Sequence, residues 1–180
     1  ATRAIRALGG RGATIPIITR LGVSAADAMT INYTVDDDWE GGVEAGYGLG
    51  PFSAQSEFVL RRLNLTAGDK ADIKGGYLQL AYTLTGEPRQ YKPYPARFDR
   101  VLPSGEHSFG AVEMVARYDD VSLDRPGTAA ATGKLLTVGA NWYINSHLHL
   151  MLDYLSGKGE NFGTVETSGK AVTTRVAFQF

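Results

Sequence analysis

The sequence predicts an all-β protein whose strands form a transmembrane antiparallel β-barrel. In the last ten residues, 171–180, apolar or small side chains alternate with polar ones. The alternation recurs along the chain, and several segments approach the roughly 9 to 11 residues that a tilted strand needs to cross the hydrocarbon layer. Strands of globular proteins are shorter, usually about five or six residues. Repetition and length favour a membrane barrel over the alternative, an amphipathic edge strand of a soluble β-sandwich.

The C-terminal segment divides its side chains between two faces, because successive side chains of a strand point in opposite directions. One face carries Val172, Thr174, Val176, Phe178 and Phe180. The other carries Thr173, Arg175, Ala177 and Gln179. The first set suits hydrocarbon and the second suits water, as expected for a lipid-facing closing strand.

Segments of this kind follow one another along the chain, and we predict about eight strands. Their ranges are 29–35, 42–49, 52–63, 77–85, 111–119, 134–143, 147–155 and 171–180. Short turns at 49–51 and 144–146 predict tight hairpins. Polar, glycine-containing stretches at 120–133 and 156–170 predict longer, external loops at the opposite end of the strands.

Composition limits the classes of function. The chain has 180 residues, a formal net charge of -1 and no cysteine, which predicts a single domain over 1–180 without disulfides or thiolate sites. We expect no nucleic-acid partner, and because enzyme motifs are missing we expect no catalytic residue, no cofactor and no metal. No apolar run reaches the roughly 18 residues of a membrane helix. The first residues lack the apolar core of a signal peptide, so we expect a fragment rather than a mature or cytoplasmic protein.

The longest predicted connection, 86–106, falls on the periplasmic side with the short turns and Phe180 if long loops are external. A connection of this length is unusual on that side. It interleaves basic and aromatic side chains, namely Arg89, Lys92, Arg97 and Arg100 with Tyr91, Tyr94 and Phe98. Two interpretations stay open, an exposed connector or a piece folded into the lumen that narrows it.

Four stretches of the sequence carry a family resemblance. They are 75–89 (GGYLQLAYTLTGEPR), 97–101 (RFDRV), 110–118 (GAVEMVARY) and 137–145 (TVGANWYIN). In this order they resemble the phosphate-selective porin O and P family, over roughly residues 40 to 180. The first forty residues have no place in the resemblance.

The resemblance implies a barrel of about 16 strands, usually a trimer, in the bacterial outer membrane. Such a barrel passes small anions, phosphate or polyphosphate among them, through a lumen lined by arginine and lysine. With about eight strands, the chain resembles the C-terminal half. A closed eight-stranded barrel is the alternative, but the small residues of the lumenal face would not fill its interior.

Six basic residues are candidates for the pore lining and for anion binding. Arg117 and Arg175 point to the lumen by parity, and the long connection contributes Arg89, Lys92, Arg97 and Arg100. Four acidic residues share the lumenal parity, namely Glu57, Glu113, Asp119 and Asp153. Glu113 and Arg117 are expected to find partners across neighbouring strands in an ion-pair network. This half therefore lacks a strongly basic lining, and a general diffusion porin without anion selectivity is the alternative function, together with a small structural or adhesive barrel without a pore.

Apolar and aromatic residues of the outer parity are candidates for lipid contact and assembly. They are Trp142, Tyr154, Val176, Phe178 and Phe180. Aromatic girdles at the membrane interfaces account for the rings. The expected partners are membrane lipid and lipopolysaccharide, small anions, two further copies in a homotrimer, and the outer-membrane assembly machinery acting on the C-terminal strand.

Overall fold

The computed structural model describes residues 35–65, 69–92, 97–127, 129–161, 163 and 165–178. Their regular structure is entirely β, which confirms the predicted fold class. The strands are β1 (Val35–Leu49), β2 (Phe52–Leu65), β3 (Lys70–Thr83), β4 (Tyr91–Lys92), β5 (Arg97–Phe98), β6 (Ala111–Asp124), β7 (Ala131–Tyr143), β8 (Leu148–Asn161) and β9 (Val165–Phe178). The predicted segment 29–35 lies outside the described residues except for Val35, and Phe180 lies outside them as well. The predicted gap between 29–35 and 42–49 is wrong, because β1 runs from Val35 to Leu49 and includes 36–41.

Seven long strands form one antiparallel sheet in the order β1-β2-β3-β6-β7-β8-β9. Each long strand pairs with the next long strand along the chain, so the sheet is an up-and-down meander. Strands β1 and β9 are its two edges within the described part of the chain. The short strands β4 and β5 form a separate hairpin inside the connection from β3 to β6.

The predicted loops 120–133 and 156–170 are wrong, because most of both stretches is strand. Strand β6 runs to Asp124 and β7 begins at Ala131, which leaves only 125–130 between them. Likewise 162–164 alone separates β8 from β9. Polar and glycine residues continue the ladder of backbone hydrogen bonds, as in the pair Gly157–Gly169. Side-chain polarity marks where the apolar belt ends, whereas the ladder needs only backbone groups.

The alternation of side chains gives the sheet two different faces. One face carries exposed large apolar side chains, among them Leu80, Tyr82, Val138, Leu152 and Val172. Cross-strand pairs such as Val138–Tyr154 and Tyr154–Val172 make this face continuous from strand to strand. We call it the apolar face. The opposite face, which we call the polar face, carries residues such as Gln55, Gln79 and Arg117, paired across β2, β3 and β6.

The turns lie as predicted at the two ends of the sheet. The β1–β2 turn at 50–51, the β7–β8 turn at 144–147 and the end of β9 share one end with 84–110, the connection between β3 and β6. Gly50 begins the first turn with a φ of 54°, which favours glycine. No helix in the described ranges is long and apolar enough to cross a membrane.

Candidate functional site: the polar face and the long connection

The described residues of the connection, 84–92 and 97–110, lie across the polar face of the sheet. At one side of the sheet, the ring of Phe98 lies against Gly46 and Gly48 of β1, and a Cβ at Gly48 would be 3.1 Å from the ring. Further across the sheet, Val101 is fully buried in a cluster with Ala111, which begins β6, and Tyr143, which ends β7. The connection therefore covers part of the polar face from β1 to β7.

A hairpin within the connection places aromatic rings over β1. Tyr91 pairs with Phe98, and their ring centroids are 5.3 Å apart in an edge-to-face arrangement. The backbone N–H of Asp99 donates to the carbonyl of Gln90 at 2.8 Å, so the two ends of the hairpin lie side by side. A cavity of about 330 Å³ lies between these rings, Arg89 and the glycines of β1.

A buried ion pair joins the connection to the seven-stranded sheet, which we call the wall. Arg89 donates through Nε to Glu113 Oε1 and through Nη2 to Glu113 Oε2, the latter at 2.6 Å. Glu113 also accepts from Asn141 Nδ2 at 2.8 Å and from the Tyr143 hydroxyl at 3.2 Å, both on β7. The Glu113 residue is 0% exposed. Since a buried carboxylate is tolerated only with full hydrogen bonding and a counter-charge, this network fixes Arg89 in place.

A second ion pair lies further along β6. Arg117 donates through Nε and Nη2 to the carboxylate of Asp119, with a shortest distance of 2.7 Å. Its guanidinium carbon also lies 3.7 Å from the centroid of the Tyr77 ring. The sequence predicts an ion-pair network around Glu113 and Arg117, but in the structure each of the two pairs with a different residue. Asp119 and the connection supply the partners.

The other basic candidates occupy different surroundings. Lys92 pairs with Asp99 at 2.5 Å between Nζ and Oδ2, within the connection. Arg97 begins β5, and its side chain lies outside the described part. Arg100 and Arg175 both lie close enough to His149 of β8 to interact with it electrostatically. Arg100 and Arg175 thus share His149 as an electrostatic neighbour. Arg89 and Arg117 form ion pairs with Glu113 and Asp119.

The remaining acidic candidates stand in the wall. Glu57 of β2 is opposite Glu44 of β1 and Tyr77 of β3, and Asp153 of β8 is opposite Gly139, where its carboxylate occupies the space a Cβ would need. Within the described ranges, no group of three or more histidine or acidic side chains could hold a metal ion.

Sequence reasoning missed the groups that hold the connection in place. They are Thr85, Glu87, Val101, Ser104, Asn141 and Tyr143. No periodic pattern identifies such contacts, because a connection with no repeat can take many routes. The one available signal was the alternation of Gly46 and Gly48 on the polar parity of β1, which leaves room for a ring.

Glu87 gives the connection a pH-dependent anchor. It is buried and accepts hydrogen bonds from the hydroxyl of Thr85 and from the hydroxyl and backbone N–H of Ser104, the last two at 3.1 and 3.3 Å. Burial alone would raise the pKa of Glu87, but these hydrogen bonds outweigh it and hold the pKa below its usual value.

Because the pKa of Glu87 is lower in the folded state, its stabilisation is present above the unfolded-state pKa and is lost as the pH falls through the folded-state pKa. We expect Glu87→Gln to cost about 1 kcal/mol at neutral pH. The variant should also lose less stability on acidification than the parent. Thermal unfolding between neutral and acid pH measures both, and equal acid sensitivity of the two proteins would contradict the assignment.

A single-layer antiparallel sheet of long strands, apolar on one face and polar on the other, defines a transmembrane β-barrel. The family described as phosphate-selective porin O and P matches residues 24–180, and the chain belongs to this family. The resemblance seen in the sequence is thereby confirmed, and the match begins earlier than the position near residue 40 from which we could place it.

Two relatives show how much of a whole protein the chain represents. The chain is 36% identical over 172 residues to Porin O of Pseudomonas aeruginosa, which is 88% of this chain and 38% of Porin O. It is 29% identical over 123 residues to an uncharacterized protein of Caulobacter vibrioides, which is 67% of this chain and 24% of that protein. The chain thus spans less than half the length of both relatives.

Proposed function

We propose that the protein acts as a porin of the bacterial outer membrane, forming a water-filled channel for small anions such as phosphate or polyphosphate. The observation that carries the proposal is a basic connection laid across the polar face of a sheet whose other face is apolar. Cations at a constriction replace part of the hydration of an anion, and conduction requires binding weak enough for release. The family and the similarity to Porin O support the same assignment.

Among the basic candidates, Arg100 and Arg175 are the best anion ligands. Both act electrostatically on His149, which puts two positive charges near the paired strands β8 and β9. Guanidinium groups suit phosphate because their fork of donors matches two of its oxygens. Lys92 and Arg97 are proposed to line the approach along the hairpin. Arg117 contributes a charge that Asp119 largely cancels.

The apolar face is proposed to contact membrane lipid and lipopolysaccharide. Trp142, Tyr154, Val176 and Phe178 all lie on this face and are exposed. The indole of Trp142 donates to the carbonyl of Phe109 at 2.6 Å, and Phe109 is itself exposed, so the aromatic surface continues past the end of the sheet. That continuation suits a girdle at the membrane interface. Strand β9, with Phe178 on its apolar face, and Phe180 beyond it are proposed to contact the outer-membrane assembly machinery.

The complete channel is proposed to be a barrel of about 16 strands, assembled as a homotrimer, with the connection on the periplasmic side. An eight-stranded barrel is too narrow for this arrangement, because its interior is filled by side chains alone. Here part of the polar face is covered by a whole connection. We expect no enzymatic activity and no nucleic-acid partner.

A general diffusion porin is the second candidate. The observation in its favour is that Arg89, Lys92 and Arg117 each face a carboxylate, which lowers the positive potential of the lumen. Current-voltage curves of the full-length protein in a potassium chloride gradient distinguish the two. A reversal potential near that of chloride supports the anion channel, and one near zero supports the general porin. Replacing Arg100 and Arg175 together with alanine should move the reversal potential toward zero, whereas Lys158→Ala on the apolar face serves as the control.

A further inference from the structure

Glu113 is the most completely buried charged group in the described part of the chain. It lies near the start of β6, the central strand of the sheet, opposite Asn141 of β7 and Thr83 of β3. The Glu113 residue is 0% exposed, and Thr83 beside it is also 0% exposed. Removing the counter-charge from such a site leaves a buried ion unpaired, which is strongly unfavourable.

The partners of Glu113 come from two different parts of the molecule. Asn141 and Tyr143 belong to the wall and donate to the same oxygen, Oε2, at 2.8 and 3.2 Å. Arg89 belongs to the connection and engages both carboxylate oxygens. The wall donors orient the carboxylate, and the carboxylate then holds the arginine. Because a two-pronged pair restricts direction as well as distance, it sets where the connection leaves β3.

We infer that Glu113 is a positioning residue for the constriction, and that Arg89 serves as its structural counter-ion and not as an anion ligand. The inference rests on the proposed channel function for its consequence, since the held segment leads directly into the hairpin over β1. With the pair intact, the connection is held by the ion pair, by the burial of Val101 and by the packing of Phe98 on Gly46 and Gly48. With Glu113 neutral, the first of these contacts is lost and the path across the lumen becomes variable.

This sequence contains no cysteine, so an introduced cysteine can be labelled at one chosen position of it. The label then reports how firmly the connection is held on the polar face. A spin label on Gln90→Cys, an exposed position next to Arg89, reports whether the connection is immobilised on the polar face. Glu113→Gln keeps the shape of the side chain and removes the charge. We expect it to shift the label spectrum from the immobilised toward the mobile component and to increase the spread of single-channel conductance. Glu57→Gln, a polar-face glutamate two strands away, is the matched control and should leave the spectrum unchanged.

A double-mutant cycle separates positioning from general damage. Arg89→Gln should also mobilise the label, and Arg89→Gln with Glu113→Gln should mobilise it less than the sum of the single effects, because no buried charge is left unpaired. Additive effects, or a label equally immobile in Glu113→Gln and the parent, would overturn the inference. The label spectra can be recorded without ion current. If the protein does not conduct but shows non-additive mobilisation of the label, the channel proposal is refuted and the positioning role of Glu113 is supported. If Glu113→Gln does not assemble, Arg89→Gln alone carries the test.

Discussion

Replacing Val138 with arginine is expected to lower the free energy of unfolding by about 2 to 4 kcal/mol if the position lies near the bilayer midplane. Val138 lies in the middle of β7 on the apolar face, paired with Ala116 and Tyr154, and is 41% exposed. A valine side chain is stable in hydrocarbon. An arginine at the same position would lose the hydration of its charge, which is unfavourable. Urea unfolding of the protein in lipid vesicles measures the change.

Thr173→Arg is the matched control for Val138→Arg. Thr173 lies on the polar face of β9 and is paired with Asp153, so an added arginine meets water and a carboxylate. We expect its effect to stay within about 0.5 kcal/mol, as for ordinary surface substitutions. Equal effects of the two arginines would contradict the assignment of the two faces.

Excising the hairpin of β4 and β5 is expected to raise single-channel conductance severalfold. The backbone hydrogen bond between Asp99 and Gln90 holds the two ends of the hairpin together, so two glycines can replace 91–98 without pulling the rest of the connection. The excision removes the rings of Tyr91 and Phe98 from the polar face of β1. It also removes Lys92 and Arg97, so a weaker preference for anions should accompany the larger current. Planar-bilayer recordings measure both.

Phe109→Ala is the control for the hairpin excision. Phe109 belongs to the same connection, but it is exposed and its carbonyl accepts from the indole of Trp142 on the apolar face. Its conductance should match that of the parent. Conductance unchanged by the excision would mean that the hairpin lies outside the current path. It would support the other interpretation of the connection, that of an exposed connector.

The faces of the strands could be predicted from sequence because side-chain alternation follows directly from strand geometry. Val172 and Thr173 fall on opposite faces whatever the rest of the fold does. The sequence also predicts that the turns at 50–51 and 144–147 lie at the same end of the sheet, because successive turns of an up-and-down meander alternate between its two ends. The ends of the strands could not be predicted from polarity. Lys158 and Ser168 look like loop residues, yet they pair within the sheet.

The partners of the basic residues could not be predicted for a different reason. Parity placed Glu113 and Arg117 on one face of β6, but their ion pairs depend on where the connection runs. That route is fixed by Val101, Phe98 and the hydrogen bonds to Glu87, none of which follows a period. The strands and their faces could therefore be predicted from sequence, whereas the ion pairs on the polar face could be identified only in the structure.

The polar face and the connection are proposed to form an anion pathway. Chloride current through single channels of the full-length protein, recorded while phosphate is added in the low millimolar range, tests this pathway. We expect phosphate to reduce the chloride current, because an anion held by arginines in a constriction obstructs the passage of others. A chloride current that phosphate leaves unchanged would contradict it and would favour a general diffusion pore built on the same wall.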